Sequence, residues 1–360
     1  MATPGAPMLI KATVWASLLE LASGWRYPPC AAGMTCIKLT PYHDQDLVFD
    51  CAVVNTSMPH KGNVYAMHGD DGKYAKAMFA ELMIQLAKQG YDSLACDQRG
   101  FSPGASPNNA SAYNYDLLAE DLYAITDAYF GVGVKHHHVA HDQGARISWH
   151  SIARGPGRQR FLSFSSLSIP HADAFSDALF GPSPDPRQQT ASQYMREFML
   201  PDAVHVYNGA LFHKVCGTLG WDTPESCAPS FWWYNGAVDS GNLAVPPVKP
   251  FGAIGKMIGI PQDFVEAHTS FPLLGVAQRV KVGNVTEFPV LYLCGVEEVA
   301  DLCTDRMQQQ TAQRVASLTY VRLAACGHDV FRCADTQKTI NAVISNVEAA
   351  SEAVEALMRE

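Results

Sequence analysis

The segment KHHHVAHDQGARISWH, residues 135–150, places five histidines and one aspartate within sixteen positions. Such a composition could serve a metal ion or a single reactive carboxylate. His136 and His138 are two apart and share a strand face, as some zinc pairs do. His137 and His141 point the other way, and no third ligand of suitable spacing accompanies either pair. The pair is therefore read as a polar turn entering a strand, with no metal implied.

The aspartate reads differently. HVAHDQGARISWHSIA is a strand, a turn of small residues and a helix in immediate succession. A sharp turn there, with Gly144 and Ala145 close behind, lifts the side chain of residue 142 above the sheet edge. This is the strand–turn–helix arrangement written G-x-S-x-G for serine nucleophiles, with Asp142 in the reactive place and His141 in place of the first glycine. A carboxylate so placed attacks carbon and forms an alkyl ester. The helix N-terminus behind it offers N–H groups for the carboxylate and for a later oxyanion. The structural alternative is an aspartate that only caps the helix.

Further residues fall where such a carboxylate needs them. YAMHGDDGKY ends an early strand and sets the N–H of Asp70 beside that of Gln143 as an oxyanion hole. LAACGHDVF follows the last strand and supplies His328 as a general base. LYLCGVEEVAD ends the preceding strand and offers Glu298 to orient that histidine, with Asp301 in reserve.

The elements that must position these groups are short apolar runs bounded by turn residues, at 47–54, 63–68, 93–97, 138–141, 161–169, 288–295 and 318–323. Runs of this kind are strands covered on both faces. Between them lie amphipathic helices, one with Met78, Phe79, Leu82, Met83 and Leu86 on a single stripe, another with Leu118, Leu122, Ile125 and Tyr129. A last helix aligns Ile340, Val343, Ile344, Val347 and Val354. The alternation predicts an α/β fold with a mainly parallel sheet flanked by helices. Residues 171–284, rich in Pro, Gly and aromatics, read as an insert.

Over most of 45–345 the chain resembles the epoxide hydrolase branch of the α/β-hydrolases. GNVYAMHGDDGKYAKAMFAELMIQLAKQGYDSLACDQRGFSPGASP is similar to that family's His-Gly-x-Pro and Asp-x-Arg-Gly-x-Ser segments, and LSIPHADAFSDAL to the strand leading into its cap. The chain order acid nucleophile, acid, histidine is the family's order. SQYMREFMLPD and SFWWYNGA resemble the cap segments that carry two ring-opening tyrosines, which would be Tyr194 and Tyr234. The resemblance implies an α/β-hydrolase core over 46–170 and 285–360, a mostly helical cap over 171–284 and an N-terminal extension over 1–45. It also implies opening of an epoxide to a vicinal diol through an ester on Asp142, with no cofactor. Phe231, Trp232 and Trp233 suggest an apolar lining, hence a lipophilic epoxide.

Three positions depart from the family pattern: Asp71 replaces a proline, Gln143 a tryptophan, and Glu298 the commoner aspartate. Haloalkane dehalogenases share the nucleophile but hold halide with a tryptophan directly after it. Haloacid-specific relatives carry two arginines, of which only Arg146 is present. A non-catalytic binding protein on this fold would be expected to lose a triad member, and none is missing.

The net charge of −9 without a basic run argues against a nucleic-acid partner. No apolar run reaches the roughly 18 residues of a transmembrane segment. Lys11 and Glu20 interrupt the one leader-like stretch, which reads equally well as a surface helix. Cys30/Cys36, Cys216/Cys227 and Cys326/Cys333 are spaced as loop disulfides, and Asn55, Asn109 and Asn284 head glycosylation sequons. These tilt the compartment toward the secretory or extracellular side over the cytoplasm. Cys51, Cys96 and Cys294, lying in strands, read as small buried hydrophobes. The oligomeric state is not read from the sequence.

Overall fold

A computed structural model describes residues 30–43, 45–69, 72–192, 195, 198, 231–234, 288–298 and 300–359. Most of the expected cap, the Cys216/Cys227 pair, Asn284, Tyr194, Asp70 and Asp71 lie outside these residues. Eight strands form one sheet: β1 (Thr35–Leu39), β2 (Phe49–Val54), β3 (Gly62–Met67), β4 (Tyr91–Cys96), β5 (His136–His141), β6 (Phe161–Leu167), β7 (Val290–Gly295) and β8 (Leu318–Leu323). Their spatial order is β1-β2-β4-β3-β5-β6-β7-β8. β3 to β8 run parallel, and β1 and β2 join antiparallel at one edge. β1 falls inside the segment set apart as an N-terminal extension; its TCIKL pattern is largely exposed and carries no apolar run.

The strand period of two divides the interior into two cores. Tyr65 and Met67 of β3 face one, under α2 (Tyr115–Phe130) and α3 (Gln143–Arg154). Val64 and Ala66 face the other, with Leu82, Met83 and Leu86 of α1 (Ala80–Lys88) and Ile340, Val343 and Val347 of α8 (Thr336–Arg359). Further helices among the described residues are α4 (Pro156–Arg160), α5 (Ala172–Phe180), α6 (Pro186–Ala191) and α7 (Asp305–Ala312). The chain moves outward from β3 to β4 and then returns to β5 on β3's other side. That reversal opens a crevice at the carboxyl ends of β3 and β5, where ligands bind in sheets of this kind.

All three clustered histidines lie within β5 and are fully buried, so the polar-turn reading of His136 and His138 does not hold. His138 stacks on Phe161 at 4.3 Å and shares a hydrogen bond with Ser148 Oγ at 2.7 Å. His137 lies between Ser163 Oγ (2.9 Å) and Ser351 Oγ (3.0 Å). Among the described residues no group of three or more His, Cys, Asp or Glu side chains could hold a metal ion. None of the described helices is long and apolar enough to cross a membrane.

The cysteine readings divide. Cys30–Cys36 and Cys326–Cys333 are disulfides, as their spacing predicts. Cys51 and Cys96 are not isolated buried thiols: they face each other across β2 and β4 and are bonded, and Cys294 is bonded to Cys303. Register across the sheet brings Cys51 and Cys96 together, and spacing along the chain does not reveal it.

Candidate active site

β5 ends at His141 and α3 begins at Gln143, so Asp142 alone makes the turn, at φ 47° and ψ −123°. A side-chain-bearing residue held there costs about 1–3 kcal/mol and persists only where its surroundings dictate it. Its N–H donates to the Leu167 carbonyl (3.2 Å) and its carbonyl accepts from the Arg146 N–H (3.1 Å). Asp142 occupies the N-cap position of α3, yet its side chain makes no capping hydrogen bond. Its Oδ1 instead lies 3.1 Å from His328 Nε2. Counted from Asp142, the two small positions of the turn are Ala140 and Gly144; His141 is the position between, not a substitute for a glycine.

The other ring nitrogen of His328, Nδ1, lies 2.6 Å from Glu298 Oε2, on a side chain only 1% exposed. Glu298 Oε1 accepts from the Ala300 N–H at 3.0 Å. Glu298, not Asp301, thus reaches the histidine; Asp301 turns the same loop at φ 56°. Burial disfavours charge on His328, but Glu298 and Asp142 outweigh it and hold the imidazole pKa well above its ordinary 6.5.

Two residues that the motifs did not single out for a role support this histidine. The His328 carbonyl accepts from His141 Nε2 (2.9 Å) and from Ser168 Oγ (2.6 Å). Ser168 presents its hydroxyl from a backbone φ of 63°. His141 lies within the histidine-rich segment and reads from the sequence only as a glycine substitute, and Ser168 lies in LSIPHADAFSDAL, where the sequence assigns it no role.

The His-Gly segment after β3 meets the turn directly. A Cβ on Gly69 would lie 2.5 Å from Asp142 Cβ and 2.7 Å from Gln143 N, so only glycine allows this approach. His68 Nε2 accepts the Gln98 N–H at 2.9 Å, which leaves the proton on Nδ1 to donate to the Gly69 carbonyl at 2.7 Å. Gln98 Nε2 also donates to the His68 carbonyl. The Asp-x-Arg-Gly-x-Ser segment thus braces this loop. Asp97 pairs with buried Lys76, Arg99 with Asp121, and Ser102 Oγ receives the Asp50 N–H.

The short helical segment at 231–234 packs on the same loop. Trp233 Nε1 donates to the Arg99 carbonyl at 2.9 Å, and its ring stacks over His68 at 6.5 Å. Tyr234, next in the chain, is buried and packs edge-on against Phe198 at 5.2 Å. Gln143, the departure beside Asp142, is buried, and its Oε1 accepts from Tyr115 OH at 2.7 Å. Tyr115 was not singled out from the sequence, where it is one of fourteen tyrosines.

This strand order, with a strained acid at the β5–α3 turn and a His–Glu pair arriving from the ends of β7 and β8, defines an α/β-hydrolase. The chain belongs to the alpha/beta hydrolase fold family, whose model matches residues 68–331. It is similar to an epoxide hydrolase of Caballeronia sordidicola, 29% identical over 151 residues, covering 42% of this chain and 44% of that protein. The chain spans less than half the length of each of the curated relatives it matches. Among solved structures it superposes on an epoxide hydrolase from metagenomes of hot environments (TM-score 0.61, 19% identity), covering 88% of this chain and 97% of that one. A putative acyltransferase from Salmonella enterica superposes equally well (TM-score 0.61, 14% identity, 88% and 97% covered). The fold is therefore shared across chemistries, and the site must distinguish them.

Proposed function

We propose that the chain hydrolyses a lipophilic epoxide to a vicinal diol in two steps through an ester on Asp142. The observation that carries this reading is the carboxylate of Asp142, released from helix capping and set 3.1 Å from His328 Nε2 while Glu298 occupies Nδ1. In the first step a carboxylate oxygen of Asp142 forms a bond to an oxirane carbon as that carbon's bond to oxygen breaks. Tyr234 and Tyr194 hydrogen-bond the departing oxygen and supply its proton; a phenol with a pKa near 10 stays protonated at neutral pH.

In the second step His328 takes a proton from water, which attacks the ester carbonyl carbon. The N–H of Gln143, at the start of α3, and that of Asp70 hold the oxyanion, each donor contributing on the order of 3 kcal/mol. Breakdown sends the His328 proton to the departing alkoxide, releasing the diol, and the acid proton left on Asp142 returns to the phenolate, restoring carboxylate and phenol. The similarity to epoxide hydrolases in fold and in partial sequence supports the substrate class. No cofactor enters the scheme.

Repeated turnover of styrene oxide in ¹⁸O water tests it, read by mass spectrometry of the peptide carrying Asp142. Label is expected in that carboxylate. Diol formed without labelling would mean direct attack by water. Turnover of haloalkanes or haloacids with no turnover of epoxides would move the assignment to a dehalogenase. Ligand binding left intact by Asp142→Asn and His328→Ala, with no activity to lose, would indicate a binding protein.

A further inference from the structure

Two of the disulfides close the loops that carry the His–Glu pair. Cys294, one residue before the end of β7, is bonded to Cys303 nine positions on, and Glu298 lies between them. Cys326 and Cys333 are seven positions apart and enclose His328. Both segments are turns and bends, so few ladder hydrogen bonds fix them, and closing each into a ring restricts what the chain can otherwise explore.

The two rings also interlock. The Glu297 N–H donates to the Cys326 carbonyl at 2.9 Å. Gly295 lies so close beneath the second ring that a Cβ there would overlap the Cys326 and Gly327 carbonyl oxygens. At its far side the first ring is tied to the sheet, since Tyr292 OH donates to the Leu302 carbonyl.

We propose that Cys294–Cys303 and Cys326–Cys333 are positioning bridges for the hydrolytic step, holding Glu298 against His328 and His328 against Asp142. This rests on the two-step reading above. Alkylation needs only the Asp142 carboxylate and the phenolic acids. Ester hydrolysis needs a correctly aimed base. Loosening either ring therefore slows the second step, spares the first, and lets the alkylated protein accumulate. Access to the bridges differs: Cys294, Cys303 and Cys326 are buried, whereas Cys333 is half-buried, so Cys326–Cys333 is the readier of the two to open.

The test measures alkylation by intact mass and diol release by rapid quench with styrene oxide. It compares Cys326→Ala/Cys333→Ala, Cys294→Ala/Cys303→Ala and, as a control on the edge strand, Cys30→Ala/Cys36→Ala. In the first two, alkylation should stay within about threefold of the parent. Their turnover should fall about 10- to 100-fold, the scale of a misplaced catalytic group, with alkylated protein rising at steady state. The control should match the parent.

If a variant does not fold, the native chain treated with a water-soluble phosphine decides. The S–S bond takes two electrons and two protons to give two thiols, and the phosphine takes oxygen from water. Peptide mapping shows which bridge is open, and far-ultraviolet circular dichroism shows that the fold persists. Both steps falling together, or turnover unchanged with the bridges open, would overturn the proposal. Absence of any alkylated Asp142 in His328→Ala would instead overturn the two-step reading.

Discussion

His328 is held between two carboxylates, and that arrangement poses a chemical problem at the scale of one residue. An imidazole whose pKa is held well above 6.5 is biased toward its charged form, which has no lone pair to take a proton from water. Esterification of Asp142 resolves this, because the ester is neutral and one of the two acids that stabilise the imidazolium disappears. In the proposed mechanism His328 thus becomes a base only after the first step has been completed. In an NMR titration, Asp142→Asn should lower the His328 pKa relative to the parent. The acid limb of kcat, which reports the alkylated state, should fall below the pKa of His328 in the free protein. An unmoved His328 pKa in Asp142→Asn would contradict this account.

Gln143 carries a second prediction at the same scale. Its carboxamide oxygen is taken by Tyr115 OH, and none of the described residues accepts from its nitrogen. A substrate acceptor that meets this donor gains a hydrogen bond worth about 0.5–1.5 kcal/mol. An ether oxygen beside the oxirane meets that need, so phenyl glycidyl ether should have a higher kcat/KM than its all-carbon isostere. Gln143→Leu should reduce the preference about tenfold. Equal specificity constants for the two substrates in the parent would remove the argument.

At the scale of elements, the β3 loop and the β5–α3 turn work as one piece because Gly69 lies against Asp142 and Gln143. Gly69→Ala forces them apart. Turnover should drop about 100-fold, while the melting temperature moves by only a few degrees; full activity in this variant would show that the close approach is dispensable. The seven interior and parallel-edge strands were legible because short apolar runs such as VLYLCG, bounded by turn residues, suit strands of a parallel sheet, although β8 at the edge is largely unburied. β1 was not, since an exposed edge strand needs no apolar pattern. Asp142, Glu298 and His328 were legible because each lies in the segment that follows a strand's carboxyl end, where such a sheet gathers its chemistry. Ser168 and Tyr115 were not, because their roles arise from contacts between segments distant in sequence. The same holds for Cys51–Cys96. Cys294–Cys303 was not legible, although its partners are only nine positions apart, because Cys294 lies in a strand and reads as a buried hydrophobe.

For the whole molecule, the histidines of β5 matter through their burial. Loss of solvent pushes the His136 pKa down to about 3 and that of His137 to about 4, and His138 falls well below 6.5. All three are neutral in the folded chain down to those values, whereas in the unfolded chain they take up protons below about 6.5. The unfolded state then binds more protons, so stability falls as pH drops through the window between 6.5 and about 4. Once the pH is a unit below 6.5, three such groups lower stability by about 4 kcal/mol per pH unit. His328 does not counteract this. Its folded pKa is raised, so its contribution is already complete below 6.5 and is lost only as pH rises through the folded value. Against a typical reserve of about 5–15 kcal/mol, this loss is large enough to destabilise the fold in acid. Urea unfolding at pH 7.5, 6 and 5 should show the decline. His136→Leu, which keeps an apolar group among Tyr65, Phe130 and Phe161, should shift the acid midpoint downward. Equal unfolding free energies at pH 7.5 and 5 would show that these buried histidines do not set the acid limit.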